Sequence, residues 1–393
     1  MLYWFRGSSD SVFLFRNFWI TNLTVMSMSE SVPFRKIIEE ARFAPSGDNI
    51  QPWRLEFDGE HDMLVYRNQP KELSEYPPYF ITGTYFGIGA FIEHIVIAAR
   101  QFGFETEVFY NDHFDEYDDF ISRIHFRKSD CESDPENALL FNAFRKRVTN
   151  RFPFLRSSMS LSIKKNFSEI IERAGGNIVW LEGGDMLRKT GYALSLHDDF
   201  YWEHKSLHDN LVKTVHSTRV ANRLKTGMPI ETLGLGFSGY FLKSVFLLAK
   251  KVPWFWKMVA WQSKRKTRQL ALHSAAFGFV CLPKKLDQRV YESGWNGMDH
   301  VVGGRIAARL WLLATASGIG FQPAYAFVAM TMNEGNAVFG DQFLIANRLM
   351  MRFLHEQVPL IDKETLVFAF RIGYRKKGEV PMSPRKTVDM ILS

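Results

Sequence analysis

FGIGAFIEHIVIAARQFGF (residues 86–104) and GGRIAARLWLLATASGIGF (residues 303–321) decide the fold. Each is a largely apolar run of helical length, and each ends at a glycine, Gly103 or Gly318. Glycine past the last periodic residue is a helix stop. Moving 88–105 forward by 215 positions lays it on 303–320, with Gly89 on Gly304, Ala99 on Ala314 and Gly103 on Gly318. A second displacement, by 133, lays FRKIIEEA (34–41) on FSEIIERA (167–174), and the strands that follow also match, RLE (54–56) against WLE (180–182). Two matches in the same order predict a duplicated α+β unit.

Working outward, SVPFRKIIEEARF (31–43) reads as a helix. Ser31 caps it, Pro33 suits its first turn, and Phe34, Ile37, Ile38 and Ala41 share one face. WRLEF and MLVYR read as strands joined by the turn DGEHD, and TEVFY as a further strand. ENALLFNAFRKRV reads as a helix and LVFAFRIGY as a buried strand. The expected organisation is an extension over 1–30, copy one over 31–135, and copy two over 136–393 with an insertion at about 185–295. The extension is either loosely ordered or an over-long start ahead of Met26 or Met28. A weak interfacial anchor is the alternative.

Composition narrows the function classes. The 393 residues carry 49 basic and 42 acidic side chains, a net charge of +7, and 46% are hydrophobic. That is ordinary for a globular protein. Two distant cysteines, Cys131 and Cys281, form no disulfide framework or zinc pattern, which fits a reducing, cytoplasmic setting. No nucleic-acid motif appears, and no apolar run approaches the ~20 residues of a membrane span.

Two short stretches carry chemistry. In RVTNRFPF, Arg147, Thr149 and Arg151 alternate, so an extended backbone projects all three to one side. Two guanidinium forks and a hydroxyl suit a phosphate dianion; the plain alternative is a solvated basic helix end. In RFAPSGDNIQPW (42–53), Ser46, Asn49 and Gln51 offer a hydroxyl and two amides. Gly47 permits close backbone approach, Pro45 and Pro52 stiffen the loop, and Trp53 can wall an apolar face. The loop suits a ligand with a polyol and a polar-edged ring; the plain alternative is a helix-terminal turn with a packed tryptophan. The loop is missing from copy two, and the arginine pair from copy one.

ARFAPSGDNIQPW resembles the signature loop of the FMN-dependent nitroreductase superfamily. RVTNRFPF is similar to its Arg-x-Ser/Thr-x-Arg phosphate motif, ASGIGFQPAYA to its segment after the central helix, and RIGYRKKGEVPMSPRKTVDMI to its C-terminal end. The resemblance implies a nitroreductase-like α+β fold, duplicated in one chain as a pseudo-dimer with antiparallel-rich sheets flanked by helices. It implies one complete FMN site and one degenerate site. Arg147 and Thr149 would hold the phosphate with Arg385, and Arg151 would sit nearer the pyrimidine edge. Ser46 and Asn49 would bind the ribityl or ring edge, while Gln51 and Trp53 shape the pocket. Pro323, Ala324, Tyr325 and Ala326 would line the ring; the family usually has glycine where Ala326 stands. The flavin performs the chemistry, so no catalytic side chain or metal is expected. NAD(P)H is the expected reductant and a small molecule the acceptor.

The expected activity is therefore an FMN-dependent oxidoreductase. The alternatives are a protein that sequesters or consumes FMN, and a membrane-surface adaptor. Within the insertion, His204 and His208 stand at i,i+4 but lack the order of a zinc protease motif. The apolar and basic run 237–268 could touch a membrane, cover the active site or join subunits. A monomeric pseudo-dimer and a homodimer both remain open.

Overall fold

Helices and strands alternate in two matching sets in this computed structural model. It describes residues 32–68, 78–111, 119–130, 134–235, 254–284, 297–335, 337–376, 378 and 380–392. The 1–30 extension, Ser31, Cys131 and most of the 237–253 run lie outside these. The first set is α1 (Phe34–Ala41), β1 (Trp53–Asp58), β2 (Asp62–Arg67), α2 (Pro78–Gln101), β3 (Phe104–Tyr110) and β4 (Phe120–Lys128). After α3 (Pro135–Phe141) the second set opens with α4 (Leu161–Arg173) and β5 (Asn177–Glu182). Then come α5 (Gly184–Glu203), α6 (Lys205–Thr214), β6 (Val215–His216), α7 (Thr218–Leu224), β7 (Met228–Pro229) and α8 (Trp254–Leu272). The set closes with β8 (Ala276–Pro283), α9 (Gly297–Ala316), β9 (Ile319–Pro323), α10 (Ala326–Met332), α11 (Asp341–Gln357), β10 (Glu364–Tyr374) and α12 (Val388–Leu392).

Both four-stranded sheets are antiparallel. Their orders are β1-β2-β4-β3 and β5-β8-β10-β9, the same path traced twice. The architecture is mixed α/β, with antiparallel sheets flanked by helices. From Pro33 onwards the chain is one compact unit, with no separation near residue 135.

The helix α1 buries Phe34, Ile37, Ile38 and Ala41, the four residues of its apolar face. Pro33 sits just before its first turn. The expected helix over ENALLFNAFRKRV is shorter than its pattern: α3 stops at Phe141, and a 3₁₀ turn follows over Phe144–Lys146. Strand β8 corrects the expected insertion. Residues 276–283 fall inside 185–295, yet they form an internal strand between β5 and β10. Alternate β8 side chains serve two cores. Phe277, Phe279 and Cys281 pack with α5, α10 and α11, while Ala276, Val280 and Leu282 pack with α4 and α9. A strand buried on both faces reads as a continuous apolar run, which hides its period.

The two long apolar helices, α2 and α9, cross in direct backbone contact. A Cβ on Gly89 would stand 1.9 Å from the Val301 carbonyl oxygen; one on Gly304 would stand 2.0 Å from that of Phe86. The 215-residue displacement carries Phe86 to position 301 and Gly89 to position 304, so the crossing maps onto itself when its helices are exchanged. Beside it the buried Glu93 carboxylate accepts from Arg305 Nε (2.6 Å) and from Arg309. Burial alone would raise Glu93, but the two guanidinium groups outweigh it and lower it. Among the described residues α2 is also the one helix long and apolar enough to span a bilayer, and 89% of its apolar window is buried in the fold.

Gly89→Ala and Gly304→Ala should each destabilise the protein by about 1–3 kcal/mol or more, because backbone must move to admit the methyl group. Gly184→Ala, whose Cβ would meet nothing within 4 Å, should change it by less than about 0.5 kcal/mol. Denaturant unfolding of the three variants checks this.

Candidate functional site

The loop after α1 is bolted down by its own polar side chains. It makes one 3₁₀ turn over Gly47–Asn49. Asp48, Asn49 and Gln51 all have left-handed backbone angles, with φ of 47°, 55° and 52°. Such angles are uncommon outside glycine and persist only where surrounding contacts impose them. Those contacts are visible. Asn49 Nδ2 donates to the carbonyls of Pro384 (2.8 Å) and Gly227 (3.0 Å), and its Oδ1 accepts from Arg385. Gln51 donates to the Lys225 carbonyl (2.8 Å) and accepts from the Lys386 amide (2.8 Å). The Gln51 amide donates to Ser46 Oγ (3.0 Å). The loop thus joins three distant segments: 46–51, 225–227 and 384–386.

The structure places Asn49, Gln51 and Trp53 behind the loop surface. Asn49 and Gln51 are buried, and their amides are spent on backbone and on Arg385. Trp53 is fully buried and stacks on Phe91, with ring centroids 4.4 Å apart. None of the three lines a cavity. They position the loop, while Ser46, Gly47 and Asp48 face the cavity.

The arginine motif runs extended beside β9, and the Asn150 amide donates to the Phe321 carbonyl (3.0 Å). Arg147, Thr149 and Arg151 line a small cavity of about 30 Å³ together with Ser383 and Arg385. Arg147 is buried, lies over the Trp311 ring at 4.6 Å and donates to the Phe43 carbonyl (2.9 Å). Its Nε and the Nε of buried Arg385 have no hydrogen-bond partner. No described carboxylate forms an ion pair with either. Burial, then the charge of Arg385, pulls Arg147 well below its ordinary value. Burial, then Arg42, pulls Arg385 down to about 10. A buried, unpaired cation is costly. Two of them line one small void.

Thr149 and Arg151 also line a larger cavity of about 300 Å³. Its walls include Ser46, Asp48, Phe86, Trp311, Gln322, Pro323, Tyr325 and Ala326. Ala324 belongs instead to the core beneath, its amide bonded to the Ala369 carbonyl (2.8 Å), which corrects its expected lining role. The two cavities share Thr149 and Arg151 on their walls, and the larger, mostly apolar one is at the lower edge of the ~300–1,000 Å³ usual for small-molecule sites.

Asp48, Tyr201 and Arg371 were missed in the sequence, whereas His197 was visible there as an exposed or lid-facing histidine. Burial raises the Asp48 carboxyl, and Arg151 and Thr214 oppose that. Asp48 was visible within the quoted loop, but only its backbone angle turns it inward. His197 and Tyr201, on α5, come from the segment read as an insertion; burial pushes His197 down to about 4. Arg371 donates to Gln322 Oε1 (2.7 Å) and to the Asn150 and Phe152 carbonyls, fixing both β9 and the arginine motif. His204 and His208 serve aromatic packing, the first beside Phe200 and Phe339 and the second 3.8 Å from Trp256. Among the described residues no three metal-ligating side chains gather.

No family model matches this chain, and no curated protein matches it.

Asn49→Ala should cost about 1–3 kcal/mol in denaturant unfolding, since it strips partners from buried groups; a change below about 0.5 kcal/mol contradicts the tie. Asp198, next to the cavity wall, offers a pH test. Burial raises it to about 6 against an ordinary 3.8. The folded state therefore binds the proton more tightly, and stability falls as pH rises from about 4 to about 6. Asp198→Asn should abolish that slope and gain up to about 3 kcal/mol relative to wild type above pH ~6, read from unfolding curves across pH.

Proposed function

We propose that the protein is an FMN-dependent oxidoreductase built from two copies of one nitroreductase-like α+β unit. It would pass electrons from NAD(P)H to a small-molecule acceptor in the cytoplasm. The observation that carries this reading is the pair of buried guanidinium groups, Arg147 and Arg385, with unpartnered Nε atoms at the narrow end of an aromatic chamber. That donor set fits a phosphate monoester attached to a flat ring system. FMN has that shape and charge.

In this reading Arg147, Arg385 and Thr149 hold the phosphate, and Arg151 keeps a positive charge between the narrow end and the chamber. Phe86, Trp311, Pro323, Tyr325 and Ala326 exclude water around the ring. Bound FMN would supply the hydride and electron chemistry, which no side chain here provides. Ser46 keeps a donor hydrogen while accepting from Gln51, so its hydroxyl can still bind the ligand. His197, held neutral by burial, adds no charge to the chamber wall.

The duplication reading is supported by the matched strand orders and the exchangeable glycine crossing. Tyr110 stands 215 positions before Tyr325, and it lines a separate cleft with Glu93, Arg305 and Arg309. There Arg305 donates to the Tyr110 hydroxyl (2.8 Å) and to Glu93. This counterpart is occupied by its own ion pairs, as a degenerate second site would be. The alternative, a protein that sequesters or consumes FMN, is favoured by one observation: His197 and Tyr201 wall the chamber from α5, which narrows access.

The purified protein should be yellow and release FMN on denaturation. Arg147→Ala and Arg385→Ala should each weaken FMN binding by about 10- to 150-fold, as for lost hydrogen bonds to a charged group. Fluorescence titration of the refilled apoprotein measures this. Wild-type affinity in both variants would refute the phosphate assignment. Rapid NAD(P)H oxidation by the yellow protein separates the oxidoreductase from the sequestering alternative.

A further inference from the structure

We propose that α8 is a membrane-surface anchor whose outer face docks on bilayers containing anionic lipid. The proposal is independent of the flavin reading. Trp254 and Trp261 are 63% and 58% exposed; every other tryptophan among the described residues is buried or half-buried. They stand seven positions apart, two helical turns, and so project from one face. Lys257, Arg265 and Arg268 are exposed along the same stripe. Arg265 lies over the Trp261 ring at 5.8 Å, and Arg268 over the half-exposed Tyr192 ring at 4.9 Å.

The opposite face is fully engaged with the body of the protein. Trp256 and Ala260 are buried, and Trp256 stacks on Trp202 with centroids 6.0 Å apart. Ser263 donates to Asp198 (3.0 Å) and Lys266 to the Leu233 carbonyl (2.7 Å), while Lys264, on the flank of the stripe, pairs with Asp199. The outward tryptophans are therefore not core residues left over from poor packing. They sit on a helix already seated by its other side.

Charge identifies the occupant. No aspartate or glutamate occurs from residue 232 to 286, while ten lysines and arginines do. A stripe of tryptophan with basic residues and no acid matches the interface of a negatively charged bilayer. Indole rings settle at the headgroup level, and lysine and arginine meet the anionic surface. The stripe has the size of a reversible surface contact, not of a span.

The test uses the full-length protein in flotation with vesicles of phosphatidylcholine alone and of phosphatidylcholine with phosphatidylglycerol. We expect flotation only with the anionic vesicles, weakening as salt rises, with quenching of tryptophan fluorescence by brominated lipid. Each basic residue at such a surface is worth about fivefold in partitioning. Lys257→Glu/Arg265→Glu should therefore lower it by about 25-fold or more. Trp254→Ala/Trp261→Ala should abolish the quenching while keeping the wild-type unfolding midpoint. Three results would overturn the proposal. The first is no flotation of wild type with anionic vesicles at low salt. The second is flotation unchanged in both double variants. The third is a dimer that the tryptophan variant converts to monomer without any vesicle binding, which would assign the face to a second copy of the chain.

Discussion

Two helices that touch through their backbones organise everything else. At the α2–α9 crossing no side chain separates Gly89 from Val301 or Gly304 from Phe86. The closeness matters because both helices wall the same cavity, α2 through Gly83, Thr84 and Phe86 and α9 through Trp311. A methyl group at the crossing would push those walls apart. The contact is also reciprocal: residue i meets residue j, and the displaced j meets the displaced i. That is how a two-fold interface between identical subunits behaves, here within one chain. Gly87, between Phe86 and Gly89 of the crossing, brings α2 against Ser46, since a Cβ there would lie 3.2 Å from the serine Cβ. The crossing therefore seats the cavity loop as well.

Electrostatics then distinguishes two regions of the fold. In one, Glu93 pairs with Arg305 and Arg309, and Glu136 also pairs with Arg309, so that two carboxylates face two guanidinium groups. A buried ion pair of this kind contributes little net stability and mainly fixes an arrangement. In the other, Arg147 and Arg385 are buried without a carboxylate, and Arg151 has only Asp48 nearby. Arg371 and Lys266 add further positive charge held by carbonyls, Arg371 down to about 9 and Lys266 down to about 8, both chiefly through burial. This concentration of buried positive charge is what the proposed phosphate would offset. The C-terminal segment supplies Arg385 across more than three hundred residues, and Asn49 orients it.

The sequence made the helices legible because their signals are local. The apolar face of α1, the glycine stops at Gly103 and Gly318, and the repeated helix–strand order follow from period and turn chemistry. The hairpin β1–β2 was equally readable from alternation about a Gly turn. Strand β8 was not, because AFGFVCLP is apolar throughout and sits in an acid-free stretch that resembles its neighbours. Side-chain direction was the other blind spot. Asn49 and Gln51 have the right groups for a ligand, but such amides bond a nearby backbone carbonyl just as readily. Asp48 lies in the same loop, where a left-handed backbone angle accompanies its place on the cavity wall. His197 and Tyr201 line the larger cavity from α5, a segment with no sequence match in residues 31–135, so no internal comparison could find them.

The central claim is that one complete anion-and-ring site is assembled from both halves of a single chain. The ratio of FMN released to protein chain, measured by absorbance after denaturing flavin-saturated protein, tests it most directly. The account predicts one FMN per chain. Two per chain would mean that the Glu93 region is a working site, and none, with no uptake on titration, would mean that the buried arginines serve a different ligand.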